Sequence, residues 1–233
     1  MRKSLEDALY ATYPSLFRQK DLPVTESSMG RGIECADGWY AILDGLYEVM
    51  STHGRQTGHP LIEIAQVKQK MASLCVYTDG HCGWCSGAID FACGLSRHVC
   101  EETGRPGTLM VRGRMLRTLA EDVGSTKGYR RHAPEAEVSV DDGPQPREEG
   151  LPPGWRTIAS ALRSAAASRI PTATLCFGHT DGELLVDVQG NVEGLSGAIA
   201  CARTLAARSD PVTGVMQIPP SDDDGDVDHT YRR

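Results

Sequence analysis

Apolar residues at three- and four-residue spacing open the chain: Leu5, Ala8, Leu9 and Tyr13 predict a helix within residues 4–20, interrupted at Pro14. A polar, glycine-containing stretch runs from Asp21 to Glu34. Asp37 then caps a helix whose stripe is Trp39, Ile42, Leu43, Leu46 and Met50, broken between Gly54 and Pro60. Residues 61–67 and 72–78 read as strands, the second carrying Leu74, Cys75, Val76 and Tyr77. A loop from Asp79 leads into a helix over roughly 85–99, which Thr103-Gly104-Arg105-Pro106-Gly107 ends. Residues 108–123 suit a short strand and a helical turn. The next stretch, 133–153, is rich in Pro and Asp/Glu and has no periodic apolar face, which predicts a linker. Beyond it Trp155, Ile158, Ala159, Leu162 and Ala166 form a second helix stripe. Strands follow near 173–177 and 183–189, with a turn at Gly178–Gly182, and then a helix over 195–208. From Pro219 the chain carries Asp222, Asp223, Asp224, Asp226 and Asp228 and reads as a solvating acidic tail.

The second set of elements echoes the first. Ser86-Gly87-Ala88-Ile89 returns as Ser196-Gly197-Ala198-Ile199, an offset of 110 residues that also relates Leu74, Val76 and Gly80 to Leu184, Val186 and Gly190. Gly38-Trp39 recurs as Gly154-Trp155 at an offset of 116. A period this long predicts one folding unit used twice. The expected fold class is α+β, a tandem repeat of a helix–small antiparallel sheet–helix unit. Residues 1–132 would form the first unit with its N-terminal helix, 133–153 the linker, 154–218 a diverged second unit, and 219–233 the tail. The two units are expected to associate as an intramolecular pseudo-dimer.

Charge sharpens this division. The 233 residues are 40% hydrophobic and carry a net charge of −7. Residues 1–133 hold 16 basic and 15 acidic side chains against 8 and 16 in the remainder, so the negative excess lies in the second half. Within 105–131, seven cations (among them Arg105, Arg112, Arg114 and Arg117) face only Glu121 and Asp122, which makes this segment the candidate anion-binding face. The acidic balance argues against nucleic acid as a partner. No apolar run is long enough for a membrane span, and the first residues lack a signal-peptide core. A cytoplasmic setting is expected, with the eight cysteines as thiols.

Tyr13-Pro14-Ser15-Leu16-Phe17, the run Gly32-Ile33-Glu34-Cys35-Ala36-Asp37-Gly38-Trp39-Tyr40, and Gln66-Val67-Lys68-Gln69-Lys70-Met71 together resemble a group of phage and prophage proteins of uncharacterised activity. That group has a Cys-Gly-Asp-Gly-Trp helix start, a Val-Lys-Glu-Lys-Phe-Gly strand motif and a zinc-ribbon-like end. The resemblance spans roughly residues 5–124 and implies a phage-type accessory protein of the host cytoplasm. It also implies ribbon ligands at four positions, of which this chain keeps Cys100; Thr103 stands at the second, and the later pair falls near Ala120 and Val123. The second unit has Asp210-Pro211-Val212-Thr213-Gly214 there, without a ligand. Both ribbon-like ends are therefore read as degenerate, and no metal cofactor is expected in them.

Cys82-Gly83-Trp84-Cys85 is the sharpest chemical motif, between a predicted strand and a predicted helix. A helix N-terminus stabilises a thiolate, so Cys82 would attack and Cys85 resolve. Residues 76–85 also resemble the active-site segment of the DCC-type thiol-disulfide oxidoreductases. The same cysteines, with His81, Cys93, His98 or Cys100, offer soft ligands for one zinc ion; Cys93 and Cys100, seven residues apart on one helix, would point the same way. The leading expectation is a non-catalytic binding module that takes an unidentified protein or a small anionic ligand on its basic segment. The alternatives are a thiol-disulfide oxidoreductase at Cys82 and Cys85, and a zinc-binding module associated with nucleic acid.

Overall fold

Every member of the stripe Trp39, Ile42, Leu43, Leu46 and Met50 is buried, and the fold is assembled around the helix that carries most of it, α2 (Tyr40–Thr57). The computed structural model describes residues 1–58, 62–132, 150–190 and 194–220; most of the expected linker and tail lies outside these residues. The chain is mixed α and β. Helix α1 (Lys3–Thr12) stops short of the predicted residue 20. Pro14 keeps Tyr13 out of the helical region, and residues 13–20 continue as hydrogen-bonded turns that still bury Leu16 and Phe17.

Strand β1 (Ile33–Glu34) lies parallel to β2 (Glu63–Lys70), which pairs antiparallel with β3 (Ser73–Asp79). Helix α3 (Gly83–Ser96) follows. Where one strand and a helical turn were expected, there are two strands, β4 (Thr108–Arg112) and β5 (Met115–Leu119), then α4 (Glu121–Thr126) and β6 (Arg130–Arg131). They form a separate antiparallel sheet in the order β5-β4-β6. The second half comprises α5 (Arg156–Arg169), the hairpin β7 (Thr174–Thr180) and β8 (Glu183–Gln189), and α6 (Ser196–Ala207). The predicted five-residue turn between β7 and β8 tightens to Asp181-Gly182, because pairing continues to Thr180 and Glu183.

Helices from the two halves interlock: α3 crosses α6, α2 lies on α6, and α5 lies on α3, while each hairpin covers its own α3 or α6. At the crossing a Cβ on Gly87 would sit 3.4 Å from the Gly194 carbonyl oxygen and 3.5 Å from the Ala198 nitrogen. One on Gly197 would run into the Trp84 carbonyl and lie 3.2 Å from the Ala88 nitrogen. These contacts are reciprocal, residue for residue at 110 positions' distance. One continuous cluster of buried side chains runs through both halves, from Leu9 to Met216. A second, small cluster gathers Cys100, Met110, Leu119, Ala120 and Tyr129 beneath the β4–β6 sheet. Among the described residues, no helix is long and apolar enough to cross a membrane.

Candidate functional site

Strand β3 runs out through Gly80 and His81 to Cys82, which is extended (φ −147°) and stands at the cap of α3. The Cys82 carbonyl accepts from both the Ser86 amide (2.8 Å) and the Ser86 hydroxyl (3.0 Å), which fixes the first turn of the helix. Three residues on, Cys85 turns inward and is buried, while Cys82 stays half-buried at the rim. Burial, and after it a hydrogen bond with the Cys82 sulfur, pushes the Cys85 thiol up to about 12. The motif therefore holds one accessible sulfur and one sheltered, firmly protonated sulfur in contact.

Helix α2 brings a third group that sequence reading missed. His53 Nε2 lies 3.7 Å from Cys82 Sγ. Its ring is stacked on Trp84 at 4.1 Å and 3°, so the imidazole is oriented by the residue inside the Cys-x-x-Cys motif. The only hint in the chain is position: His53 falls three residues beyond Met50 and extends the apolar stripe of α2. A ring nitrogen at this distance can exchange a proton with the thiol, and the unpaired amides of the first turn of α3 favour negative charge beside Cys82.

The other soft ligands are not assembled here. Helix α3 ends at Ser96, so Cys93 and Cys100 do not share a helical face; Cys100 belongs to the small second cluster, whereas Cys93 lines a cleft against α5. Burial pushes the Cys93 thiol up to about 12. His81 is exposed beside Cys82, and His98 lies beyond the end of α3. Among the described residues, no group of three or more His, Cys, Asp or Glu is placed to hold a metal ion. Cys100 and Ala120 share the small apolar cluster, against which Val123 packs.

The basic segment is largely engaged with acids of its own neighbourhood. Arg105 grips Asp122 with both carboxylate oxygens at 2.7 Å. Arg117 reaches Glu101 and Glu102, each at 2.9 Å, and Lys127 also pairs with Glu102. Glu101 is buried and accepts the Ala36 amide as well, so Arg117 ties the β4–β5 hairpin to the chain ahead of Trp39. Arg112 lies over the Tyr129 ring at 4.7 Å and donates to the Lys127 carbonyl. The guanidinium groups of Arg114, Arg130 and Arg131 have no hydrogen-bond or ion-pair partner among the described residues.

Comparison of the chain with protein-family models, with curated proteins and with solved structures finds no match.

Proposed function

We propose that the protein is an internally duplicated α+β scaffold whose first unit carries a thiol–disulfide exchange centre at Cys82 and Cys85. The duplication is supported by equivalent contacts at equivalent positions. Gly38 donates to the Glu101 carbonyl (2.7 Å) and Gly154 to the Pro211 carbonyl (2.8 Å). The isolated bridges Val99–Pro106 and Ser209–Met216 differ by 110 residues at both partners. The reciprocal crossing at Gly87 and Gly197 is the contact of a two-fold pseudo-dimer. In this reading the β4–β6 sheet is a ribbon whose metal has been replaced by the apolar Cys100–Ala120–Val123 cluster and the Arg105–Asp122 pair.

The observation that carries the exchange centre is the arrangement of a half-buried Cys82 at a helix start, His53 Nε2 at 3.7 Å and a protonated Cys85 behind it. Cys82 gives its proton to His53 and its thiolate attacks one sulfur of a substrate disulfide. A mixed disulfide forms, and the displaced substrate sulfur leaves as a thiolate that takes up a proton. Cys85 then loses its proton and attacks Cys82 Sγ, which releases the second substrate thiol and leaves Cys82–Cys85 oxidised. The substrate is reduced by two electrons, and an external dithiol restores the pair. The second unit has Leu195 at the position of Cys85 and so keeps only the packing role.

A second reading, the non-catalytic accessory module of phage type, is favoured by the free cations Arg114, Arg130 and Arg131. An insulin-reduction assay separates the two. Turnover by the wild-type protein that is lost in Cys82→Ser and reduced in His53→Ala supports the exchange centre. Equal, background-level rates in all three overturn it and leave the binding module.

A further inference from the structure

Two clefts flank the helix crossing, and they differ in charge. Where α6 lies on α2, Arg208 enters between two acids of α2, donating to Asp44 at 2.8 Å and pairing with Glu48. Where α3 lies on α5, an open cleft of about 440 Å³ remains. The residue 110 positions before Arg208 is His98, and the residues 116 positions after Asp44 and Glu48 are Ser160 and Ser164. Serines thus stand where the counterpart has the two carboxylates that pair with Arg208, Ser164 lines the cleft, and the donors there are Arg97, His98 and Arg169.

Arg97 and His98 enter the cleft from the end of α3, and Ser164, Ser168 and Arg169 from α5. Arg169 is held by Asp90 across the cleft. The Arg97 guanidinium and the His98 imidazole have no hydrogen-bond or ion-pair partner among the described residues. Burial, and then the neighbouring Arg97, holds His98 below its ordinary range, so at neutral pH it is a neutral imidazole with one N–H to donate. Two guanidiniums against a single carboxylate leave the cleft cationic, in a chain that is acidic overall.

We propose that the α3–α5 cleft binds a small phosphate-class oxyanion, held by Arg97 and His98 with the Ser164 hydroxyl, in the place that Asp44 and Glu48 occupy on the opposite side. A guanidinium presents paired donors that match two oxygens of such a group, and a charge-assisted pair of this kind is among the stronger polar contacts available to a protein. The comparison of the two clefts rests on the duplication proposed above; the donors lining this one do not depend on it.

The test is calorimetric titration of the full-length reduced protein with inorganic phosphate and, separately, with glycerol phosphate. Saturable binding of one equivalent is expected. Binding of both ligands marks a site for the phosphate group itself, and binding of glycerol phosphate alone marks a phosphomonoester. Arg97→Gln should weaken binding by about tenfold or more. Ser164→Glu restores a carboxylate at the position of Glu48, and should abolish binding while raising the melting temperature. Arg114→Gln, on the far basic segment, and Cys82→Ser should bind as wild type, so a silent thiol assay and a failed titration remain separate results. Absence of saturable binding of either ligand to the wild type, or unchanged binding in both Arg97→Gln and Ser164→Glu, overturns the proposal.

Discussion

The hairpins β2–β3 and β7–β8 make the same reversal with unequal residues. Asp181 and Gly182 take φ of +48° and +80°, a left-handed pair that Asp-Gly adopts at little cost. At the matching positions 110 residues earlier, Met71 and Ala72 take +52° and +61°, where a Cβ crowds the following carbonyl at about 1–2 kcal/mol per residue. An outside contact accompanies the strain. Thr118 of β5 donates to the Ala72 carbonyl at 2.8 Å, and Ala72 is 3% exposed against that strand. The β7–β8 turn has no such neighbour among the described residues, and its sequence does not need one. The first half carries a further sheet, β5-β4-β6, that supports a poor turn; the described residues of the second half form no such sheet, and their turn is a good one.

The largest expected contrast lies at the helix crossing. A methyl at Gly197 meets the Trp84 carbonyl, a backbone atom that cannot swing aside, whereas at Gly87 it meets only ordinary contacts at 3.4 and 3.5 Å. Gly197→Ala should therefore cost about 2–3 kcal/mol of stability in urea unfolding. Gly87→Ala should cost nothing, or stabilise by up to about 1 kcal/mol, because alanine is the better helix former. Equal losses at the two positions would break the asymmetry and mean that the helices can slide to accommodate either methyl.

A smaller contrast separates the two tryptophans that begin α2 and α5. Trp39 Nε1 donates to the Val99 carbonyl at 2.8 Å, while the buried Trp155 Nε1 has no hydrogen-bond partner among the described residues. Phenylalanine removes similar volume from both sites, but only at Trp39 does it orphan a buried carbonyl. Trp39→Phe should be the costlier substitution by about 1–2 kcal/mol. Melting curves of the two single variants decide it, and a cheaper Trp39→Phe would contradict the hydrogen bond as the source of the difference.

These contrasts also mark what the chain disclosed unaided. Helices α2 and α5 and both main hairpins were legible because their apolar residues recur with the period of the element and are buried: Trp39 to Met50, Leu184 and Val186. Strands β4 and β5 were not, since each sends only one or two side chains, such as Met110 and Leu119, into a small cluster. A five-residue strand with so few buried positions has no usable alternation. The Cys82–Cys85 motif was plain from spacing, but His53 reaches it from another helix, 29 residues away, on a stripe that reads simply as core. Residues 105–131 read as an open cationic face because the acids that pair with Arg117 and Lys127, Glu101 and Glu102, lie just ahead of that segment in the chain.

The smallest effects belong to the turns, where they test what the added sheet does. Met71 is 70% exposed, so Met71→Asn gives up little packing and should stabilise by about 0.5–1 kcal/mol through easier access to the left-handed region. Ala72→Gly should gain less, because a buried methyl is lost and the unfolded chain becomes freer. Gly182→Ala, in the relaxed turn, should lose about 1 kcal/mol. Thr118→Val removes the hydroxyl that anchors the Ala72 carbonyl and should cost about 1 kcal/mol in the wild-type background. If that anchor serves to hold a strained turn, its loss should cost less once Met71→Asn and Ala72→Gly have removed the strain. Additive losses in the combined variant would instead make Thr118 an ordinary packing contact, and the two turns would then differ in sequence without differing in the support they require.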